Sequence, residues 1–316
     1  MKVLVTGGSG FLGRRLQKVK PNWKYLSSWN VDLTDSDATI RYIRKSKPDA
    51  VVHLAGMVGG IGSNRSRPAE YYLMNTLINT NIVHACQIAR VPRLLACLST
   101  CAFPDKVDKY PFTEEDLFKG APAITNQAYG FSKRALHVYV QAVRDQYGLS
   151  YSTFCPSNLY GPGDSFDLDN SHFLSSAIRK IHEAKEGEEV MFWGTGDPLR
   201  QFMYADDLAE IIPVLLKKHL DGSPLIAAPD YNYSIRDMIE MCIDVMEKDV
   251  TYNFNGDLDG QYRKDGSNAK LKTLLPDVKF TPLQEGIRKT YDWFKESFDN
   301  GSSGPGRQLF SGTSSK

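Results

Sequence analysis

The sequence is poor in the features that mark most special classes of protein. Nowhere do eighteen apolar residues run together, so no segment reads as a membrane-spanning helix. Charge of one sign is not in excess: 38 Lys and Arg face 37 Asp and Glu, a balance with no general attraction for nucleic acid or an anionic membrane. The five cysteines, Cys86, Cys97, Cys101, Cys155 and Cys242, include no C-x-x-C pair and no metal-ligand spacing. That odd count suits free thiols in a reducing compartment, and neither disulfides nor a metal site are expected. The start MKVLVTGGSG enters a strand and a glycine turn without a charged stretch followed by an apolar one, so the chain reads as cytoplasmic.

What is present is ordinary globular composition, 41% hydrophobic and 24% charged over 316 residues, enough for a large core and a second lobe. A short apolar strand at 3–5 leads through glycines into helical spacing at 11–18. Further apolar runs at 24–26, 50–54, 94–98 and 151–156 alternate with helical stretches near 36–46, 69–90 and 125–146, the first opening after Thr34 or Asp35 as N-cap. This alternation predicts an α/β protein with a doubly wound parallel sheet of the Rossmann kind. After Tyr160-Gly161-Pro162-Gly163-Asp164 the pattern loosens. The expected division is a first domain over 1–164, to which 189–222 returns through Val190–Trp193 and Gln201–Leu216. A smaller α/β substrate lobe is expected from 165–188 and 223–298, and a disordered Gly/Ser-rich tail over 299–316.

Gly7, Gly8, Gly10 and Gly13 satisfy G-x-G-x-x-G between a predicted strand and a predicted helix. In that context the glycines permit a tight turn, let a pyrophosphate approach the helix N-terminus, and let helix and strand pack, which makes the first domain a dinucleotide-binding one. NAD proteins usually hold the ribose 2′-hydroxyl with an acid at the end of the second strand. Here that strand ends Tyr25-Leu26-Ser27-Ser28, without a carboxylate, so NADP(H) is favoured over NAD. Asp32, beside Leu33, lies near the expected distance but reads as part of the next element and points to an adenine contact. A 2′-phosphate would then fall to Ser27, Ser28 or a cation from elsewhere, such as Arg14.

Tyr129 and Lys133 are four residues apart in a helical stretch and share one face. A neighbouring ammonium is expected to lower the tyrosine's pKa and fit it to exchange a proton with a carbonyl and alcohol pair. Ser99 follows the strand at 94–98, at the carboxyl edge of the sheet where such sheets bind ligands, and can polarise the same carbonyl.

The glycine turn, Ser99 and the Tyr129/Lys133 pair, in this order, resemble the extended short-chain dehydrogenase/reductase family. Within it the sequence is similar to the GDP-L-fucose synthases, the bifunctional 3,5-epimerase/4-reductases of GDP-4-keto-6-deoxy-D-mannose. The segments that carry the likeness are His53-Leu54-Ala55-Gly56-Met57-Val58-Gly59-Gly60, Leu98-Ser99-Thr100-Cys101-Ala102-Phe103-Pro104-Asp105-Lys106, Asn170-Ser171-His172 and Phe192-Trp193-Gly194-Thr195-Gly196, within a match over about residues 1–298.

The resemblance implies an acid/base pair, Cys101 and His172, that shuttles protons at C3 and C5. Read singly, Cys101 is equally a small buried hydrophobe, as Cys97 in its strand is, and His172 a helix cap. The other histidines, His53, His84, His137, His182 and His219, read as structural or solvent-facing. Expected dinucleotide contacts are Gly7, Ser9, Gly10, Phe11, Leu12, Gly13, Ser27, Ser28, Asp32, Leu33, Leu54, Ala55, Tyr129, Lys133, Pro156, Asn158 and Leu159.

The resemblance places Asn158 near the sugar and Trp193, Arg200, Lys180 and Lys264 at substrate-contact positions. Lys180 stands where bacterial members carry an arginine, a point charge in place of a bidentate fork. It also implies a homodimer that pairs the helices at 69–90 and 125–146. The rival readings are a hexose 4-epimerase or 4,6-dehydratase that retains its NAD, and a dinucleotide-binding sensor without chemistry. Dehydratases usually carry Asp-Glu after the strand-end Ser or Thr, where this chain has Thr100-Cys101. A sensor tends to lose the Tyr/Lys pair.

Overall fold

The computed structural model describes residues 1–168, 171–256 and 259–299. In chain order the elements begin β1 (Val3–Thr6), α1 (Phe11–Val19), β2 (Lys24–Tyr25), α2 (Ser36–Ser46), β3 (Ala50–His53), α3 (Ile61–Ser66), α4 (Pro68–Ile88) and β4 (Arg93–Cys97). Then come α5 (Gln127–Tyr147), β5 (Ser150–Pro156), β6 (Asn158–Tyr160), α6 (Phe173–Glu183), β7 (Glu189–Phe192), β8 (Leu199–Arg200) and β9 (Phe202–Tyr204). The chain continues through α7 (Ala205–Lys218), β10 (Pro224–Ala227), β11 (Tyr233–Ser234), α8 (Ile235–Met246), β12 (Thr251–Phe254), β13 (Arg263–Lys264), α9 (Ala269–Leu274) and α10 (Leu283–Asp299). Asp299 closes α10; the rest of the expected tail, and Asn170, lie outside the described residues.

Local chemistry sets the helix ends. Asp35 caps α2 by accepting from the Ala38 N–H at 2.9 Å, Pro68 opens α4 where a missing N–H costs nothing, and Gly148 closes α5 in the left-handed region.

The large sheet has the order β2-β1-β3-β4-β5-β10, and every pairing in it is parallel. Side chains alternate between its two faces, as strand geometry requires. Leu4, Val51, Leu94, Ala96, Cys155 and Ile226 pack with Ile43 of α2, Ile82 and Cys86 of α4 and Leu136 and Val140 of α5. Val3, Val5, Val52, Leu95, Phe154 and Leu225 pack with Leu16 of α1, Leu208, Ile212 and Leu215 of α7 and Leu271 of α9. With both faces covered, the strands need apolar side chains on both sides, which is why they read as unbroken apolar runs.

A second core gathers Leu174, Ile178 and Ile181 of α6, Met238 and Ile239 of α8, Ile287 and Phe294 of α10, and Val190 and Phe192 of β7. Three elements depart from the expected division. β7 pairs with β12 and belongs to this second core, not to the first domain. β10 and α9, expected in the substrate lobe, join the large sheet and its covering layer. A four-residue strand followed by Pro229 carries too little pattern to assign itself; what assigns β10 is the free edge of β5, against which Leu225 and Ile226 bury on opposite faces.

Candidate active site

The chain runs from β1 outward to β2 and then back to β3, so a switch point lies between β1 and β3, where a ligand crevice opens outside the carboxyl ends of the strands. The glycine turn occupies that point. Gly7 adopts φ +71°, and a Cβ there would stand 2.8 Å from the Ala55 nitrogen. A Cβ on Gly13 would stand 2.2 Å from the Gly7 carbonyl oxygen. Gly10 caps α1 without a side-chain bond, and Arg14 is the first residue to donate back into the helix, to the Gly10 carbonyl. The N–H groups of Phe11, Leu12 and Gly13 are therefore left for a ligand, in a cradle that fits a pyrophosphate by backbone shape and dipole.

The other expected dinucleotide contacts surround the same rim: Leu54 and Ala55 follow β3, Pro156 ends β5, and Asn158 and Leu159 lie in β6. At the far end, the Ser27 N–H and hydroxyl both donate to Asn30 Oδ1, while Asp32 accepts from the N–H and hydroxyl of Thr34 and so holds its own turn. Residues 31–33 form no strand. Arg14 donates to the carbonyls of Ser9 and Gly163, which commits it to the glycine turn and the 161–164 loop.

Ser99 leaves β4 and accepts from the Cys101 N–H at 3.2 Å, tightening the short turn over Thr100–Ala102. α5 lies directly on this turn because residue 130 is glycine: a Cβ there would meet the Cys101 carbonyl oxygen at 2.3 Å. Gly130 and Asn126 are site residues that sequence reasoning missed. The glycine inside Tyr-Gly-Phe-Ser-Lys, unfavourable in a helix, was the available signal for the first.

Tyr129 departs from expectation. Burial raises its pKa well above the ordinary value, Cys101 and Cys97 add to that, and the Ser99 hydroxyl pulls only partly back. Lys133 donates to the Cys97 carbonyl at 3.0 Å and stands 5.8 Å from the centre of the Tyr129 ring, with its own pKa lowered by burial. Burial and the neighbouring thiols, not the ammonium, set the direction of the Tyr129 shift in this structure.

Cys101 is partly exposed, with Lys264 Nζ at 3.0 Å and Asn126 Nδ2 at 2.9 Å from its sulfur. Burial pushes its pKa up, but Lys264, Ser99 and Arg200 together hold the thiol below its ordinary value. Cys86, Cys97, Cys155 and Cys242 are all shifted the other way by burial. Arg200 is pulled down to about 10 by burial and donates to the carbonyls of Leu199 and Tyr262. Lys264, expected at a substrate-contact position, is buried against the thiol.

The remaining expected residues sit on the second lobe or at its edge. His172 is the N-cap residue of α6 but makes no side-chain capping bond, so capping does not account for its imidazole. The buried Asp164 carboxyl, raised by desolvation, is pulled back by His172, Ser175, the Ser165 N–H and Arg14. Lys180 donates to the Met191 carbonyl at 3.0 Å and lies over the Phe192 ring. Trp193 is 67% exposed, with its ring edge 3.9 Å from where a Gly62 Cβ would be. Asn158 donates to the Gln201 carbonyl. His53, His137 and His219 are buried in bonds to Thr6 and Asn79, to Thr153, and to the Thr153 carbonyl, as structural histidines.

Residues 3–228 match the sequence model of the NAD dependent epimerase/dehydratase family. The chain is 37% identical to the GDP-L-fucose synthase of Dictyostelium discoideum, over 94% of this chain and 96% of that one. It is 32% identical to the GDP-L-fucose synthase of Escherichia coli (strain K12), over 85% and 87%. A GDP-L-fucose synthetase from Naegleria fowleri, solved bound to NADP, superposes with a TM-score of 0.86 at 32% identity, covering 95% of this chain and 94% of that one. The chain thus belongs to the NAD dependent epimerase/dehydratase family, and within it to the group of the GDP-L-fucose synthases.

Proposed function

We propose that the protein converts GDP-4-keto-6-deoxy-D-mannose to GDP-L-fucose with NADP(H), by 3,5-epimerisation followed by reduction of the C4 ketone. The observation that carries this reading is Cys101, a thiol with a depressed pKa on the same turn as Ser99 and against the Tyr129 helix. A retained-NAD 4-epimerase or a 4,6-dehydratase has no use for it there.

The glycine turn, Leu54, Ala55, Pro156, Asn158 and Leu159 would hold NADP(H), whose chemistry is hydride transfer to C4. Hydrogens on C3 and C5 are acidic because they flank the ketone. The Cys101/His172 pair removes a proton from one face of each carbon and returns one to the other, and the charge of the intervening enolate rests on the C4 oxygen, to which Ser99 and Tyr129 donate. After each inversion the base holds one proton more and the acid one fewer, and exchange with solvent resets them. Tyr129, kept a phenol by burial, holds the proton that the C4 oxygen requires on reduction. Lys133 orients that end of the site through the Cys97 carbonyl.

Trp193 offers an exposed ring for guanine, and Arg200 and Lys180 supply cations for the two phosphates. Tyr72, Leu73 and Leu77 of α4 and Phe131 and Val138 of α5 expose apolar side chains, which supports a homodimer built on these two helices. Among the described residues no helix is long and apolar enough to cross a membrane, and the five free cysteines fit work in the cytoplasm.

The test mixes the protein with NADPH or NADH and GDP-4-keto-6-deoxy-D-mannose, follows absorbance of the reduced nicotinamide, and identifies the product sugar. NADPH oxidation with formation of GDP-L-fucose is expected; no oxidation with either nucleotide would return the retained-NAD reading.

A further inference from the structure

Cys155 lies close enough to Cys97 and to Cys101 for both to act on it electrostatically, yet of these three only Cys101 has a sulfur met by donors from outside its own strand or turn. Lys264 reaches it from a part of the chain 163 residues away. The reach follows from the small sheet. β13 runs parallel to β8 with Lys264 beside Arg200, and side chains at paired positions share a face, so both cations are presented on one side. β11 completes this sheet on the other edge of β8. Asn126 arrives independently, from the turn just ahead of α5.

An ammonium is a donor only, and so is the nitrogen of a side-chain amide. A sulfur receiving both is acting as an acceptor twice over, which suits a thiolate far better than a thiol that needs an acceptor for its own proton. The groups that act on the sulfur are Ser99 on its own turn, Tyr129 and Lys133 on α5, Cys155 on β5, Arg200 on β8 and Lys264 on β13. Three of these are cations, and none is a carboxylate.

We propose that Lys264 and Asn126 are positioning residues that hold Cys101 as a thiolate in the resting enzyme, so that this thiol enters the epimerisation already deprotonated. The inference rests on the proposed function for its purpose, though not for its test. It assigns Lys264, expected at a substrate-contact position, to the acid/base pair, and it makes ionisation of Cys101 depend on docking of the β11-β8-β13 sheet against the large domain. Thiolate and substrate C–H then exchange one proton, giving thiol and enolate without any further reactant.

The experiment is the pH dependence of Cys101 alkylation by iodoacetamide in the full-length protein, read on the Cys101 peptide by mass spectrometry so that Cys97 is scored separately. The wild-type midpoint should lie below that of an ordinary cysteine. Lys264→Met should raise it by a unit or more, which lowers the alkylation rate at pH values below the wild-type midpoint about tenfold, and Lys264→Arg should restore most of it. Asn126→Ala should raise it less. A fall on Asn126→Ala would mean that the amide accepts from a thiol, and would overturn its half of the proposal.

A wild-type midpoint at or above the ordinary value, or one indifferent to Lys264→Met, would overturn the whole. If Lys264→Met does not fold, the wild-type midpoint and the Asn126→Ala and Lys264→Arg shifts still decide. Deuterium uptake from solvent into GDP-4-keto-6-deoxy-D-mannose separates the two readings. A Lys264-dependent thiolate without uptake would support this inference and remove the proposed function, and uptake with a Lys264-independent midpoint would do the reverse.

Discussion

The two halves of the site are built in opposite ways. The glycine turn is contiguous, spans seven residues from Gly7 to Gly13 and works by lacking side chains: its φ, its close approach to Ala55 and its free N–H groups are all backbone properties. The corner around Cys101 draws on residues 99–101, 126–133, 200 and 264, and works through side chains whose chemistry depends on what buries or charges them. A site made of backbone shape leaves a spacing that can be read directly. A site made by convergence leaves residue types whose roles change with their neighbours.

If the halves are separable in this way, substitutions should divide them cleanly. The largest effect is expected from Cys101→Ala, which should slow deuterium uptake at C3 and C5 by about 10²–10⁴-fold while NADPH binding, followed by fluorescence titration, stays as in the wild type. Uptake at the wild-type rate would remove Cys101 from the proton transfers.

Tyr129→Phe should cut within the side-chain half. NADPH oxidation should fall by at least about 10²-fold, with deuterium uptake continuing, so that exchanged but unreduced sugar accumulates; undiminished oxidation would retire the phenol as proton donor.

Gly13→Ala is the converse. The added Cβ meets backbone that cannot step aside, so unfolding free energy should drop by about 1–3 kcal/mol and NADPH should bind more weakly. Uptake at C3 and C5, which needs no hydride, should survive wherever the variant is folded. An unchanged melting temperature together with an unchanged NADPH affinity would show that the turn tolerates side chains after all.

The smallest effect belongs to Trp193→Ala at the lobe edge. Loss of base stacking worth about 1–2 kcal/mol should raise KM for the GDP-sugar about tenfold and leave kcat nearly unchanged. A loss confined to kcat would place this ring at the chemistry rather than at the base.

The first five strands of the large sheet, helices α1, α2, α4 and α5 against it and the glycine turn were legible in the sequence because their causes are local. An apolar run and its flanking turn residues need no distant partner to declare themselves, and a left-handed φ at Gly7 is a demand of its own turn. β7 and β10 were not assignable in the same manner, since which core a four-residue strand joins is settled by the sheet edge that accepts it. Tyr129 shows the limit for chemistry: the i, i+4 lysine was visible, but the burial that raises the tyrosine's pKa is the work of the packed domain.

By itself, then, the sequence determined a doubly wound dinucleotide fold and the residue types of an epimerase and reductase. The tertiary structure alone decided that Lys264, from the far end of the chain, would lie against Cys101, and that of five thiols only this one would be held down in pKa. Desolvation and Coulomb interaction act over a few ångströms of space, whatever the separation in sequence, and only folding sets which residues come within that range.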